Sequence, residues 1–136
     1  HMSKLSRNQI ELELSTSVDV IENITGKKPD LFRPPFGDYS DALLEEAEKQ
    51  GLYTIQWDVD SLDWKDLSAT AMAERVLKGV KNGSIVLMHN DGKHTPEALP
   101  LIIEGLKNKG YSFKTIGELI YRDNYEIHHT GRQIRR

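Results

Sequence analysis

Residues 84–89 read SIVLMH, a run that is apolar at nearly every position. A strand that is hydrophobic on both faces belongs in a sheet covered on both sides, the hallmark of parallel sheets with helical crossovers. The rest of the chain supplies the crossovers. Ser6 and Gln9 fit a capping box, after which Ile10, Leu14, Val18, Ile21 and Ile24 recur at helical spacing until Gly26, so a helix is expected from about 6 to 25. Ser40 can cap a second helix, DALLEEAEKQ, ending at Gly51; Ser68 starts a third to about Val80, and Thr95 with Pro96 starts a fourth to about Lys109. A short helix follows near 116–121. Between these lie the strand candidates LFR (31–33), LYTIQW (52–57) and YSFKT (111–115). The order is strict β/α alternation, which implies right-handed crossovers and an α/β fold with a mainly parallel sheet.

Composition bounds the rest. A chain of 136 residues fits one domain. A formal net charge of -3 gives no reason to expect nucleic acid as a partner. Cysteine is absent, which removes disulfides, thiolate nucleophiles and cysteine metal ligands. No apolar run approaches the roughly 18 residues of a membrane span. The opening His1-Met2 pair reads as a remnant of a cloning vector, residues 3–121 as the domain, and residues 122–136 as a basic tail, solvated or disordered.

In parallel sheets, chemistry gathers at the carboxyl ends of strands. Three polar clusters fall there: RPPFG after the first strand, DVDSLDW after the second, and HND after the third. Arg33 sits on a rigid diproline turn, where a guanidinium can pair bidentately with a carboxylate; Asp58, Asp60 and Asp63 are candidate partners, and a purely structural ion pair is the other reading. Phe36 and Gly37 can present backbone N–H groups to an oxyanion. His89 ends the most apolar strand, either as a packed strand-end residue or, with an aspartate on its imidazole, as a general acid. Trp57 and Trp64 read first as packing residues. His89, Asp91 and His94 match no strong zinc spacing, and adjacent His128 and His129 should not converge. An acid, an orienting carboxylate and an oxyanion donor are present, without an evident means of generating a nucleophile.

Taken in order, R-P-P-F-G, W-D-V-D-S-L-D-W and I-V-L-M-H-N, with ITGKKPDLFRPPFG and TPEALPLIIEGLKNKGYSFKTIGELI around them, resemble the later motifs of the polysaccharide deacetylase family. These are the NodB-homology enzymes of carbohydrate esterase family 4, and the match covers about 3–121. The resemblance implies a distorted, incomplete (β/α) barrel that hydrolyses N-acetyl groups on chitin-like or peptidoglycan glycans. It implies that Arg33 positions the catalytic-base aspartate and that the Phe36 N–H holds the oxyanion. It further implies that Asp63 tunes His89, the general acid, and that Trp64 and Leu87 form the pocket for the acetyl methyl. The family's nucleophile is water on a divalent metal, zinc or cobalt, held by an aspartate of a T-F-D-D motif and two histidines of an H-S/T-x-x-H motif. Neither motif occurs here, so no metal ligand is assigned in this chain, which reads as the carboxyl-terminal part of a deacetylase, inactive alone. A non-catalytic glycan-binding or assembly module is the alternative. A glycan substrate, an extracytoplasmic setting at the cell surface or spore envelope, and self-association through an exposed sheet edge complete the expectations.

Overall fold

The computed structural model describes residues 1–130 and 132–136. It forms two compact units, residues 1–56 and 57–136, each with its own core.

In the first unit, α1 (Arg7–Thr25) begins at Ser6, whose hydroxyl accepts from the Gln9 N–H while the Gln9 side chain accepts from the Ser6 N–H, and it ends at Gly26 in the left-handed conformation. Strand β1 (Leu31–Phe32) runs into the diproline turn; α2 (Asp41–Lys49) follows from its Ser40 cap, and β2 (Tyr53–Thr54) pairs parallel with β1. Ile10, Leu14 and Val18 pack with Leu43, Ala47 and Leu52. Burying such side chains stabilises by about 1.5–3 kcal/mol each. Met2, read from sequence as part of an added pair, belongs to this core at 8% exposure. Ile21 and Ile24 do not: they share the angular face of Ile10, but the cluster stops at Val18 and they are 40% and 78% exposed.

In the second unit, β3 (Val59–Asp60) and β4 (Val86–Leu87) pair parallel, Val59 opposite Val86 and Asp60 opposite Leu87. Helices α3 (Ala69–Gly79) and α4 (Thr95–Asn108) cover them with Met72, Ala73, Val76, Ala98, Ile102 and Leu106. Strand β3 lies where sequence suggested only a loop. Asp58 reads as a loop former, yet its carboxylate accepts from the Ser84 hydroxyl and the Ile85 N–H, both at 2.9 Å, which ties the start of β3 to the segment leading into β4. Conversely, residues 111–115 are not a strand. Among the described residues nothing pairs with them, Ser112 to Thr115 are exposed, and Tyr111 packs on the second core with its hydroxyl donating to the Val80 carbonyl.

After α5 (Ile116–Leu119), the basic tail departs from the expected solvated terminus. Strands β5 (Tyr125–Ile127) and β6 (Gln133–Arg135) form an antiparallel hairpin, and Arg132 ion-pairs with Asp58 while donating to the Asn82 carbonyl at 2.6 Å. His128 and His129, expected not to converge, have ring centroids 3.8 Å apart, because the turn after β5 breaks the alternation that sends neighbours to opposite faces. No helix among the described residues is long and apolar enough to cross a membrane.

Candidate functional site

The parallel register decides which polar residues meet. Asp60 and Leu87 are partners, so three residues beyond one and two beyond the other, Asp63 and His89 emerge at the same strand ends. Two local devices aim Asp63. The Leu62 N–H donates to Asp60 Oδ1 at 2.9 Å, and Leu62 itself adopts φ 56°, a left-handed conformation costing on the order of 1–3 kcal/mol that reverses the chain just before Asp63. The Ser61 N–H meanwhile continues the ladder to the Leu87 carbonyl at 3.2 Å.

The Asp63 side chain is fully enclosed, at 0% exposure, while that of His89 is 36% exposed. His89 binds it twice: its backbone N–H donates to Oδ2 at 2.6 Å, and Nδ1 lies 2.7 Å from Oδ1. The Thr95 hydroxyl donates to Oδ2 at 3.0 Å and the Trp64 N–H to Oδ1 at 3.1 Å. Burial alone would push the Asp63 carboxyl up; the bonds from His89 and Thr95 outweigh it and hold the group below its ordinary range. A carboxylate on Nδ1 fixes that nitrogen as the donor and leaves Nε2 as the ring nitrogen that Asp63 does not engage.

The other expected site residues are placed as follows. Leu87 is buried in β4, at 6% exposure. Trp64, read first as a packing residue, is 59% exposed on the same short turn as Asp63, with Lys65 Nζ 4.9 Å from its ring centroid. In the first unit, Pro34 is buried while Arg33 is exposed and makes no ion pair among the described residues. Phe36 is 82% exposed and held at φ 60°, so the diproline turn does force an unusual backbone at that N–H. Asp58, Asp60 and Asp63 each accept hydrogen bonds within the second unit.

Sequence reading missed Thr95 and Gly92 as parts of this site. From sequence Thr95 reads only as a helix start, and Gly92 carries no role in the site. The usable signal was their spacing after His89, which returns the chain toward Asp63 before α4 begins.

No group of three or more histidine, cysteine or acidic side chains converges as a metal site among the described residues. His94 instead has Nδ1 3.3 Å from Glu97 and Nε2 3.8 Å from Asp66. The described residues therefore do not fit the divalent metal that the resemblance implies.

Residues 1–55 match the family model described as polysaccharide deacetylase. The chain is 36% identical over 126 residues to the peptidoglycan-N-acetylglucosamine deacetylase PgdA of Listeria monocytogenes, covering 93% of this chain and 26% of that protein. The chain belongs to the polysaccharide deacetylase family. A family 4 carbohydrate esterase from Streptomyces lividans, solved with acetate, superposes with a TM-score of 0.75 at 37% identity, covering 81% of this chain and 57% of that one. A pseudoenzyme of the same family from Bacillus anthracis gives 0.82 at 36% identity, covering 86% and 41%. The chain thus spans about a quarter to a little over half the length of these relatives. Its α/β architecture with parallel strand pairs is part of the (β/α) barrel of family 4 carbohydrate esterases.

Proposed function

We propose that this chain is the acid-bearing part of a polysaccharide N-deacetylase, with His89 as general acid, and that it is inactive by itself. The observation that carries the reading is the enclosed Asp63 carboxylate on His89 Nδ1 at 2.7 Å, which leaves Nε2 for substrate. In this reading water adds to the acetyl carbonyl carbon as its proton passes to the base carboxylate, and the C–N bond then breaks. The His89 imidazolium, with Nδ1–H on Asp63, gives its Nε2 proton to the departing amine, leaving acetate and a free amine. The Phe36 N–H stabilises the tetrahedral oxyanion, Trp64 and Leu87 take the acetyl methyl, and Arg33 positions a base carboxylate from outside the described residues. A divalent metal, zinc or cobalt, would need ligands other than the described residues and would supply the activated water. Peptidoglycan or a chitin-like glycan is the substrate class, supported by what the Listeria relative is named for, and the setting is extracytoplasmic. Self-association through an exposed sheet edge belongs to the same proposal; a strictly monomeric species by sedimentation at micromolar concentration would count against it.

The pseudoenzyme among the structural relatives favours a second reading, a fold kept for glycan binding or assembly without turnover. Metal content and acetate release from acetylated chito-oligomers and peptidoglycan separate the two. They are to be measured on this chain and on a longer chain carrying the family's early motifs. The enzyme reading expects metal and acetate from the longer chain only; a longer chain that binds no metal and releases no acetate defeats it.

A further inference from the structure

Asp63 Oδ2 has a partner that the proposed mechanism does not use. Thr95, the first residue of α4 and 7% exposed, donates its hydroxyl to that oxygen at 3.0 Å. Gly92 presses the connecting loop against the same pair: a Cβ built there would fall 2.0 Å from Thr95 Oγ1 and 2.9 Å from Asp63 Oδ2. The Thr95 N–H also donates to the Gly92 carbonyl at 3.2 Å, which closes the loop on itself. Only a residue without a side chain lets the hydroxyl reach the carboxylate, so the two positions act as one device.

This arrangement has a consequence for His89. A carboxylate can rotate about its Cβ–Cγ bond, and a hydrogen bond to one oxygen fixes the direction of the other. With Thr95 and the His89 N–H on Oδ2, Oδ1 is held facing His89 Nδ1. We propose that Thr95, admitted by Gly92, is a positioning residue that locks the Asp63 carboxylate and through it the tautomer and ring orientation of His89. The inference rests on the reading of His89 as the acid for its catalytic meaning, but the lock itself is a property of this chain and is tested without turnover.

The test is NMR of the imidazole of His89 in the full chain. Unaltered, the protein should show the proton on Nδ1 in slow exchange with water and the Thr95 hydroxyl proton protected enough to be seen. Thr95→Val preserves shape and removes the donor. It should speed exchange of the Nδ1 proton roughly tenfold, the worth of one charge-assisted hydrogen bond, and mix the tautomers. Thr95→Ser should behave as the parent, and Gly92→Ala, which displaces the hydroxyl, should behave as Thr95→Val. A folded Thr95→Val chain with unchanged Nδ1 exchange overturns the proposal, as does a Thr95→Ser chain that loses the protection. Should the valine variant not fold, a Thr95 hydroxyl proton in fast exchange in the parent overturns it equally. Loss of acetate release in the longer chain with these spectra intact would instead fall on the deacetylase reading.

Discussion

The two units end their parallel strands in opposite ways. In the second, the groups beyond β3 and β4 satisfy one another: Asp63 is enclosed and takes hydrogen bonds from His89, Thr95 and Trp64, leaving one imidazole nitrogen for work. In the first, the diproline turn beyond β1 holds Arg33 and Phe36 outward, exposed, with no ion pair for the guanidinium among the described residues. The contrast teaches that the Asp63–His89 pair can be built locally, because bonds of about 3 Å within one unit orient it. The roles proposed for Arg33 and the Phe36 N–H depend instead on the groups they would face.

The largest test is catalytic. In a longer chain carrying the early motifs, His89→Ala should lower deacetylation by roughly 10²–10⁴, the usual worth of a general acid; unchanged steady-state turnover removes its role. Next comes stability. Asp63→Ala strands the buried Thr95 hydroxyl and the His89 N–H, so chemical denaturation should show a loss of about 3–5 kcal/mol, against less than about 0.5 kcal/mol for Arg33→Ala at its exposed site. Equal losses would erase the contrast between the two strand ends.

The pH dependence follows from Asp63 with a definite sign. Its folded-state carboxyl lies below the ordinary range, so its contribution is complete above that range and is lost as pH falls through the depressed value. Unfolding titrations should therefore show stability dropping on acidification below the usual carboxylate range, a drop to which Asp38, Glu46 and Glu118 also contribute and which Asp63→Asn makes smaller. A smaller effect is expected at the other end of β3. Arg132→Ala leaves Asp58, whose side chain is 12% exposed, with the Ser84 and Ile85 donors but no counter-ion. A loss of about 1–2 kcal/mol, with faster amide exchange in β5 and β6, is the expected outcome. Protection of β5 and β6 equal to the parent would show that the hairpin does not depend on that arginine.

Much of the fold was legible because helix signals are local. Ser6 with Gln9, Ser40 and Ser68 each place an acceptor within a turn of the N–H groups it caps, so the starts of α1, α2 and α3 fall where the sequence puts them. The strands were less legible. LYTIQW shrinks to Tyr53–Thr54, YSFKT forms no strand, and β3 arises in a segment of aspartates, since a strand exists only where a partner lies. The tail misled for the same reason: Arg132 reads as a solvated charge until Asp58, far away in sequence, receives it.

Sequence by itself determined the alternation of helices with extended segments and the polar clusters at strand ends, because periodicity and caps act over a few residues, and it left His89 open between a packed strand-end residue and a partner of an aspartate. The family resemblance named that aspartate as Asp63; only the tertiary structure decided how its two oxygens divide between His89 and Thr95 and that Gly92 closes over them. Those contacts depend on the register of β3 against β4 and on the return of the chain into α4, and register is a property of paired strands that no single segment carries.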